Sequence, residues 1–291
     1  MRLDYYMKEG AMSGSARRLC QMLNSSEMVV APFVFDAFQA RIAQAAGFQA
    51  VYMTGFGTAA ARGFPDVGLL TMAEMVENVR YIANAIDLPL VCDADTGYGN
   101  PVNVYRTVRE YEAAGAAALH LEDQVWPKRC GFLAGKQVIP LEEMVPKVKA
   151  ACDARRDANF VIIARTDALA VNGWEDVIER ARAYRAAGAD LLFVDGIKTL
   201  DDMKRYAKEL GDLPLLYNGQ LLSVQEIAKF GFKLTIYTAT LMAFYIRMRD
   251  AMRELKTTGS IARGAEFGLF EEMTDLLGVN EAMEIGKKYG S

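Results

Sequence analysis

The segment VCDADTGYGN (91–100) joins an apolar run to two acidic residues and a turn that contains two glycines. The run that it completes, LPLVCD (88–93), is short, apolar and bounded by turn residues, which is typical of a buried strand in a parallel sheet. The next segment, PVNVYRTVREYEAAG (101–115), has the periodicity of an amphipathic helix. The sequence therefore predicts a strand–turn–helix unit here, with Asp93 and Asp95 at the carboxyl end of the strand.

The same unit recurs along the chain. Helical patterns such as 72–86 and 174–188 separate further apolar runs, and tags such as EAAGAA and RAAGAD precede several runs, as helix C-caps do. The other runs lie at 28–33, 50–54, 117–122, 159–165, 190–195, 213–218 and 233–237. Eight strand–helix units predict an α/β fold, the (β/α)8 TIM barrel; a doubly wound open sheet is the alternative.

The chain divides into three predicted parts. Residues 1–27 form an N-terminal tail (1–14) and a helix (16–24) beneath the barrel, residues 28–255 form the catalytic barrel, and residues 256–291 form a C-terminal helical extension. The segment after the last strand is longer than one closing helix requires. We therefore expect the extension to pack on a neighbouring subunit.

The composition excludes several classes of function. The chain has 33 basic and 37 acidic residues, so it has no excess of positive charge with which to bind nucleic acid. Its apolar runs are too short to span a membrane, and its first residues are too polar for a secretory signal. The four cysteines have no metal-site spacing, and His120 is the single histidine, which excludes a multi-histidine zinc site. We expect a cytoplasmic protein.

Polar side chains follow most of the predicted strands, at the end of a barrel where active sites lie. Facing carboxylates raise each other's pKa unless a cation neutralises them, and oxygen ligands suit Mg²⁺ or Mn²⁺. Asp93 and Asp95 are therefore predicted to serve a divalent metal, directly or through water. Asp36 has an alternative role as a helix N-cap. The polar residues at strand ends are Asp36, Thr54, Asp93, Asp95, His120, Glu122, Asp123, Arg165, Asp195 and Asn218.

The segment EDQVWPKRCGFLAGKQVIP (122–140) predicts a loop over this edge of the barrel. It brings Cys130 next to Lys128 and Arg129, and neighbouring cations lower the pKa of a thiol. Such a thiol can exchange a proton with a carbon centre. The alternative is a solvated basic loop with a buried structural cysteine. His120 shares the strand face of Glu122 and is either a core histidine or a support for the acids.

Four motifs carry a resemblance to a known family: TGFGTAAARGFPDVG, DADTGYGN, HLEDQVWPKRCG with GKQVIP, and IARTDA. With them the chain resembles the isocitrate lyase/phosphoenolpyruvate mutase superfamily from about residue 28 to about residue 255, in the branch of methylisocitrate lyase, dimethylmalate lyase and carboxyphosphonoenolpyruvate mutase. The resemblance implies a barrel, Mg²⁺ and a homotetramer with swapped C-terminal helices. Its members make or break a bond next to a 2-oxo or 2-hydroxy acid carboxylate through a metal-bound enolate.

The resemblance also implies a role for each matching residue. Cys130 would protonate the departing enolate with support from Arg129 and Lys128, and Arg165 would bind the carboxylate or the 2-oxygen of the substrate. Metal ligation, largely through waters, would fall to Asp93, Asp95, Asp66 and Glu122. The substrate would meet Thr54, Gly55, Phe56, Gly131, Phe132, Asp195 and Asn218.

Three departures from the family pattern touch the same half of the pocket. Phe132 stands where isocitrate-type lyases carry His, Asp195 stands where Glu is usual, and GQLLS follows Asn218 in place of a segment like TEFGxTP. We expect the half of the pocket that binds the leaving group to be apolar, with walls from Phe56, Trp126, Phe132 and Tyr217. An unpaired buried charge is costly, so citrate-like substrates should be poor.

These observations favour a Mg²⁺-dependent carbon–carbon lyase acting on a small carboxylate such as a substituted malate. Oxaloacetate decarboxylation or hydrolysis is an alternative, because it needs only the half of the active site that stabilises an enolate. Phosphoenolpyruvate mutase or phosphonopyruvate hydrolase chemistry is a second alternative, but those relatives lack the KRCG loop. A non-catalytic scaffold is the third.

Overall fold

The computed structural model describes residues 12–131, 133–262 and 268–290. Eight parallel strands pair in chain order and close into a barrel, which confirms the predicted fold against the open sheet. Each predicted strand is present, with ends shifted by a few residues. The strands are β1 Val29–Val34, β2 Val51–Met53, β3 Leu90–Asp93, β4 Ala118–Glu122, β5 Val161–Thr166, β6 Leu191–Val194, β7 Leu215–Asn218 and β8 Leu234–Tyr237.

Helices surround the barrel, because the outer face of each strand is apolar and needs cover. A short 3₁₀ helix, Ala168–Ala170, follows β5. The α-helices in the described part of the chain are α1 Met12–Leu23, α2 Ala37–Ala45, α3 Gly55–Ala61, α4 Met72–Ala85, α5 Pro101–Ala113, α6 Leu141–Ala154, α7 Trp174–Ala186, α8 Leu200–Leu210, α9 Val224–Ala228, α10 Ala239–Thr258, α11 Leu269–Leu276 and α12 Val279–Tyr289.

The helix predicted over 16–24 is α1, and it begins earlier, at Met12. Its buried face, Ala16, Leu19 and Leu23, packs into the same apolar cluster as residues from the interior of the barrel, such as Val29 and Val161. Because Val29 and Val161 begin their strands, α1 lies at the amino end of the barrel and leaves the carboxyl end open. Residues 12–14 of the predicted tail belong to α1, and the first 11 residues of the tail lie outside the described residues.

The register of the strands brings the predicted polar residues side by side. Asp93 pairs with His120 across β3 and β4, and Glu122 pairs with Arg165 across β4 and β5. These pairs are at the last positions of their ladders, at the carboxyl end of the barrel. The fold therefore concentrates the charged residues at one edge.

The DADTGYGN turn reverses the chain in a strained conformation. Asp95 has φ 47° and Tyr98 has φ 60°, values that side chains larger than glycine rarely adopt. The strain is held by contacts around the turn: the hydroxyl of Tyr111 donates to the Asp93 carbonyl (3.0 Å) and lies 3.1 Å from the hydroxyl of Tyr98. Strained backbone of this kind concentrates at functional sites.

The C-terminal helices extend beyond the last strand, and the guanidinium group of Arg41 in α2 donates to the Leu276 carbonyl at the end of α11 (2.9 Å). Helix α10 buries Leu241 against β1 and continues through the predicted boundary at residues 255 and 256 as one helix. It exposes Phe244, Ile246 and Met252, and Phe270 of α11 is 71% exposed. No helix in the described ranges has the length and apolar character needed to cross a membrane.

Candidate active site

Asp93 ends β3 with both carboxylate oxygens bonded to backbone. Oδ2 accepts from the Gly55 N–H and Oδ1 accepts from the Asp95 N–H, each at 3.0 Å. A Cβ atom at position 55 would lie 2.5 Å from Asp93 Oδ2, so glycine is required for this approach. Burial alone would raise the pKa of Asp93, but His120, Lys128, Arg165 and the Asp95 N–H lower it to about 2. Asp93 is therefore ionised at neutral pH.

Lys128 neutralises two further acids. Its ammonium group contacts Oδ1 of Asp66 and lies 2.8 Å from Oδ1 of Asp95. All three side chains are buried. Burial lowers the pKa of Lys128, but the negative charges of Asp95, Asp93 and Glu122 outweigh this effect and raise that pKa well above its ordinary value. Burial raises the pKa of Asp95 to about 6, against the opposing effect of Lys128.

Arg165 is the central cation of the site. Its Nε lies 3.2 Å from Oε2 of Glu122 and donates to Oδ2 of Asp167 at 2.9 Å, and its Nη2 lies 3.5 Å from Oδ1 of Asp195. The guanidinium group also stacks 5.0 Å from the ring centroid of Phe193. These contacts fix the orientation of Arg165 before any ligand binds.

Lys136 also belongs to this network, although the sequence analysis predicted no role for it. Its ammonium group donates to Oδ1 of Asp167 (2.7 Å) and to Oδ2 of Asp195 (2.9 Å), and all three side chains are buried. A signal for Asp167 was available, because it stands two residues after Arg165 and shares its face of the strand. The partners of Lys136 are distant in sequence, so no spacing pointed to the lysine.

The segment 123–140, which we call the β4 loop, is anchored to the barrel by two buried lysines, Lys128 and Lys136. Val125 donates to the Gln137 carbonyl (2.8 Å), which closes the base of the loop. The N–H of Cys130 donates to the Asp66 carbonyl at 3.1 Å and sets the thiol at the edge of the barrel. Next to it, a Cβ at position 131 would lie 2.5 Å from Asp195 Oδ2.

His120 contacts an acidic residue of the site, so its role is not only to fill the apolar core. Its Nε2 lies 2.7 Å from the hydroxyl of Tyr52 and 3.5 Å from Oδ1 of Asp93, and the rings of His120 and Tyr52 stack. Burial lowers the pKa of His120 to about 4, so the ring is neutral at pH 7. Sequence reasoning did not single out Tyr52, which no motif distinguishes from an ordinary strand residue.

Two of the strand-end acids have structural roles. The carboxylate of Asp36 accepts from the Gln39 N–H at 2.8 Å, so Asp36 is the N-cap of α2. Asp123 is turned away from Glu122, as the alternation of a strand requires. It accepts from the Tyr184 hydroxyl (2.8 Å) and the Asp167 N–H (2.9 Å) and lies 3.2 Å from Arg180.

The acids at the strand ends fit a hydrated divalent ion. They offer only oxygen donors, which Mg²⁺ prefers, and Oε1 of Glu122 is buried with no hydrogen-bond partner among the described residues. Within the described part of the chain, no three His, Cys, Asp or Glu side chains converge closely enough to bind an ion by themselves. The donor set therefore suits an ion that keeps several of its waters.

Two cavities meet above the strand ends. The smaller one has a volume of about 40 Å³ and is polar; it contains Asp66, Asp93, Glu122, Arg165 and Asp195 among its walls. The larger has a volume of about 490 Å³ and carries mostly apolar residues. Four residues line both cavities and so mark their junction: Phe33, Phe56, Cys130 and Asn218.

The remaining predicted residues have the following positions. Thr54, Lys128, Arg129 and Gly131 line the polar cavity, whereas Gly55 lies behind Asp93. The guanidinium group of Arg129 donates to the Ala134 carbonyl at 3.0 Å within the β4 loop, and this side chain is largely exposed. Phe132 lies outside the described residues.

Two of the residues predicted for an apolar wall line the larger cavity, and Trp126 does not. Phe56 and Tyr217 line the larger cavity, together with Gln220 and Leu221 of the GQLLS segment. Trp126 lies on the outer side of the β4 loop, where its ring approaches Tyr98 at 6.4 Å between centroids. The sequence could not show that the loop turns this ring away from the junction.

A closed parallel barrel with a carboxylate cluster, an oriented arginine and a thiol at its carboxyl end defines a (β/α)8 enzyme. The model of the phosphoenolpyruvate phosphomutase family matches residues 19–256. The chain is 41% identical to 2,3-dimethylmalate lyase of Eubacterium barkeri over 95% of its own length and 99% of that protein. This chain therefore belongs to the phosphoenolpyruvate phosphomutase family, within the isocitrate lyase/phosphoenolpyruvate mutase superfamily.

Solved structures agree with this assignment. Oxaloacetate acetylhydrolase in complex with 3,3-difluorooxalacetate superposes with a TM-score of 0.89 and 37% identity, covering 96% of this chain and 98% of that one. Phosphonopyruvate hydrolase in complex with oxalate and Mg²⁺ superposes with a TM-score of 0.86 and 30% identity, covering 95% and 99% of the two chains. The predicted superfamily and enzyme class are confirmed.

Proposed function

We propose that this enzyme is a Mg²⁺-dependent carbon–carbon lyase that cleaves a 2-hydroxy dicarboxylic acid of the substituted malate type into a 2-oxo acid and a monocarboxylic acid. The observation that carries the proposal is the position of Cys130. Its side chain lines both the polar cavity and the apolar cavity, at their junction. A proton donor at that point can reach the carbon from which the 2-oxo acid departs.

The polar cavity suits the half of the substrate that becomes the 2-oxo acid. Its carboxylate and C2 oxygen would lie near Arg165, which Asp167 and Glu122 hold in place without any reorganisation during the reaction. Bound Mg²⁺, held by Asp93, Asp95, Asp66 and Glu122 largely through waters, would supply further positive charge at the C2 oxygen.

Cys130 acts on the other product. As the C2–C3 bond breaks, the electron pair passes to C3 and is shared with the carboxylate on that carbon. The thiol of Cys130 gives its proton to C3, and positioned donors of this kind contribute about 10²–10⁴-fold to a rate. Cys130 is only 8% exposed, so bulk water has little access to its thiol.

The apolar cavity favours a substituted malate over a citrate-like acid. An additional carboxylate placed among its apolar walls would lose its hydration without gaining a partner. The similarity to 2,3-dimethylmalate lyase over nearly the whole chain supports a substrate whose leaving half carries an apolar group.

Oxaloacetate hydrolysis is the second candidate. It is supported by the similarity to oxaloacetate acetylhydrolase and by a polar cavity of only about 40 Å³. The phosphonate chemistries have less support, since a thiol at the junction has no role in moving a phosphoryl group.

A substrate screen tests the proposal. The purified enzyme with Mg²⁺ is given 2,3-dimethylmalate, methylisocitrate, oxaloacetate or phosphonopyruvate, and 2-oxo acid, oxalate and phosphate are measured as products. We expect cleavage of 2,3-dimethylmalate, with methylisocitrate at least tenfold poorer. Efficient cleavage of methylisocitrate would contradict the proposed pocket, and oxalate release from oxaloacetate alone would favour the second candidate.

We also propose that the protein is a homotetramer that packs through its C-terminal helices. The support is the set of exposed apolar side chains on α10, α11 and α12 and at Leu277, the C-cap of α11. These residues are Phe244, Ile246, Met248, Met252, Leu255, Leu269, Phe270, Met273, Leu277 and Met283. Exposed apolar surface of this extent is typical of an interface.

A further inference from the structure

The apolar cavity is much larger than a methyl group needs. Its volume of about 490 Å³ falls within the roughly 300–1,000 Å³ of small-molecule pockets. Leu133, Ile197, Leu241 and Met242 contribute to its walls. Among the described residues that line it, Lys198 is the only charged one, and this side chain is exposed at the rim. The cavity is therefore built for a substantial apolar group.

The position of the cavity identifies which group it can receive. The carbon that takes a proton from Cys130 must lie at the junction of the two cavities. Any substituent on that carbon starts at the junction, and the polar cavity is already filled by the 2-oxo acid half. The apolar cavity is the remaining direction in which the substituent can extend.

Asn218 gives the leaving half a polar anchor at the same point. It ends β7, lines both cavities, and its buried Oδ1 has no hydrogen-bond partner in the described part of the chain. Oδ1 can only accept a hydrogen bond, so it is the Nδ2 group of the same amide that can donate to the carboxylate on C3 while the substituent on that carbon points into the apolar cavity. One polar group at an otherwise apolar pocket is the pattern that fixes the orientation of a ligand.

We propose that the enzyme cleaves malates that carry an extended alkyl chain on C3, and that the apolar cavity binds this chain. The inference rests on the proposed lyase function and specifies its substrate class. The C2–C3 bond breaks and the C2 oxygen becomes the carbonyl of the 2-oxo acid. Its proton passes to a carboxylate of the cluster, and the thiol proton passes to C3. The products are a 2-oxo acid and a saturated fatty acid, and no oxidant is required.

A chain-length series tests the inference. The enzyme with Mg²⁺ is given 2-methylmalates that carry methyl, ethyl, butyl or hexyl on C3, and kcat/KM for pyruvate release is measured. A buried methylene contributes about 0.8 kcal/mol, so kcat/KM should rise about fourfold for each carbon until the cavity is full. The variant Met242→Trp reduces the cavity and should lower the hexyl-to-methyl ratio of kcat/KM at least tenfold.

A matched control is Leu200→Trp, which adds the same ring at an exposed position in the first turn of α8 and should leave that ratio as it is in the wild type. If kcat/KM is flat or falls from methyl onward while the methyl compound is cleaved, the inference is overturned, and another occupant, such as a side chain of a second copy, fills the cavity. If no member of the series is cleaved, the proposed function itself fails, and the inference fails with it.

Discussion

The ammonium group of Lys136 lies 2.9 Å from Oδ2 of Asp195 and joins the β4 loop to the end of β6. The same group bonds to Asp167, and Lys128 makes the equivalent contacts to Asp66 and Asp95 at the other side of the site. The loop that carries the thiol is therefore held by two buried cations that pair with four acids of the barrel rim.

Replacing Lys136 tests the contribution of this fastening. In Lys136→Met, Asp167 loses one of its two cationic partners and Asp195 loses its shortest contact. Removing one partner of a buried pair costs about 3–5 kcal/mol. We expect the free energy of unfolding to fall by an amount of this order and kcat/KM to fall at least tenfold. Urea denaturation and pyruvate release measure the two effects.

The control for that experiment is Lys204→Met, whose ammonium group lies 3.5 Å from Asp201 on the exposed face of α8. Exposed pairs contribute about 0–1 kcal/mol, so this variant should resemble the wild type. If Lys136→Met also resembles the wild type in both measurements, the β4 loop is held by other contacts.

Gly55 is the second position at which the structure makes a sharp prediction. In Gly55→Ala the added methyl group would overlap Oδ2 of Asp93, which lies 2.5 Å from the point that the new Cβ would occupy. Overpacking typically costs about 1–3 kcal/mol, and here it also displaces a carboxylate of the site. We expect at least a hundredfold loss of kcat with a lower melting temperature.

The matched substitution is Gly14→Ala in α1, where no described atom lies within 4 Å of the new Cβ. Alanine is the better helix former by about 1 kcal/mol, so this variant should be as stable as the wild type or more so. An active, stable Gly55→Ala enzyme would show that Asp93 can move without consequence.

Glu122 provides a test of the metal site that does not depend on activity. Ligand binding to the native state raises stability by about 2.7 kcal/mol at a concentration of 100 times Kd. Mg²⁺ should therefore raise the melting temperature of the wild type, and EDTA should reverse this. In Glu122→Gln the unpartnered oxygen is neutral, and the Mg²⁺ concentration needed for the same shift should rise more than tenfold.

The matched variant is Glu110→Gln on the exposed face of α5, which should keep the response of the wild type. An equal response from Glu122→Gln would place the ion elsewhere.

Cys152 allows a prediction about pH. Burial raises the pKa of this thiol to about 11, against a smaller opposing effect of Arg155. The reactive form is the thiolate, so at pH 8 about a thousandth of the thiol is reactive. Alkylation of Cys152 by iodoacetamide, followed peptide by peptide by mass spectrometry, should accelerate about tenfold per pH unit from pH 8 to pH 10. A plateau below pH 9 would contradict the assignment.

The proposed assembly depends on the apolar face of the C-terminal helices. A charge on that face should be costly at an interface, so Phe270→Asp should dissociate the tetramer into smaller species. Light scattering after size exclusion measures the mass. Val102→Asp, at an exposed position of α5, is the matched control and should remain tetrameric. A tetrameric Phe270→Asp protein would exclude α11 from the interface.

The sequence contained enough information for the barrel, because each strand is a continuous apolar run followed by a helical pattern. It also placed Asp93, Glu122 and Arg165 at one edge, since the carboxyl ends of parallel strands meet there. The two-cavity arrangement could not be obtained in this way. Its walls come from several different loops and from α10, whose relative positions follow from packing and not from any local periodicity.

The lysines of the β4 loop illustrate the same limit. Lys128 was visible as a cation near Cys130, which suggested a direct effect on the thiol, whereas Lys136 had no predicted role. In the structure their ammonium groups pair with acids 31 to 62 residues away in sequence. Loop residues have no fixed side-chain direction, which is also why the sequence could not show that Trp126 lies away from the apolar cavity.

In the proposed mechanism, Cys130 protonates the departing carbon at the junction of the two cavities. The decisive experiment is kcat for pyruvate release from 2,3-dimethylmalate by Cys130→Ser beside Cys152→Ser, both saturated with Mg²⁺. We expect a loss of about 10²–10⁴-fold for Cys130→Ser with little change in the melting temperature, and wild-type kcat for Cys152→Ser. A Cys130→Ser enzyme with the kcat of the wild type would show that another group supplies the proton.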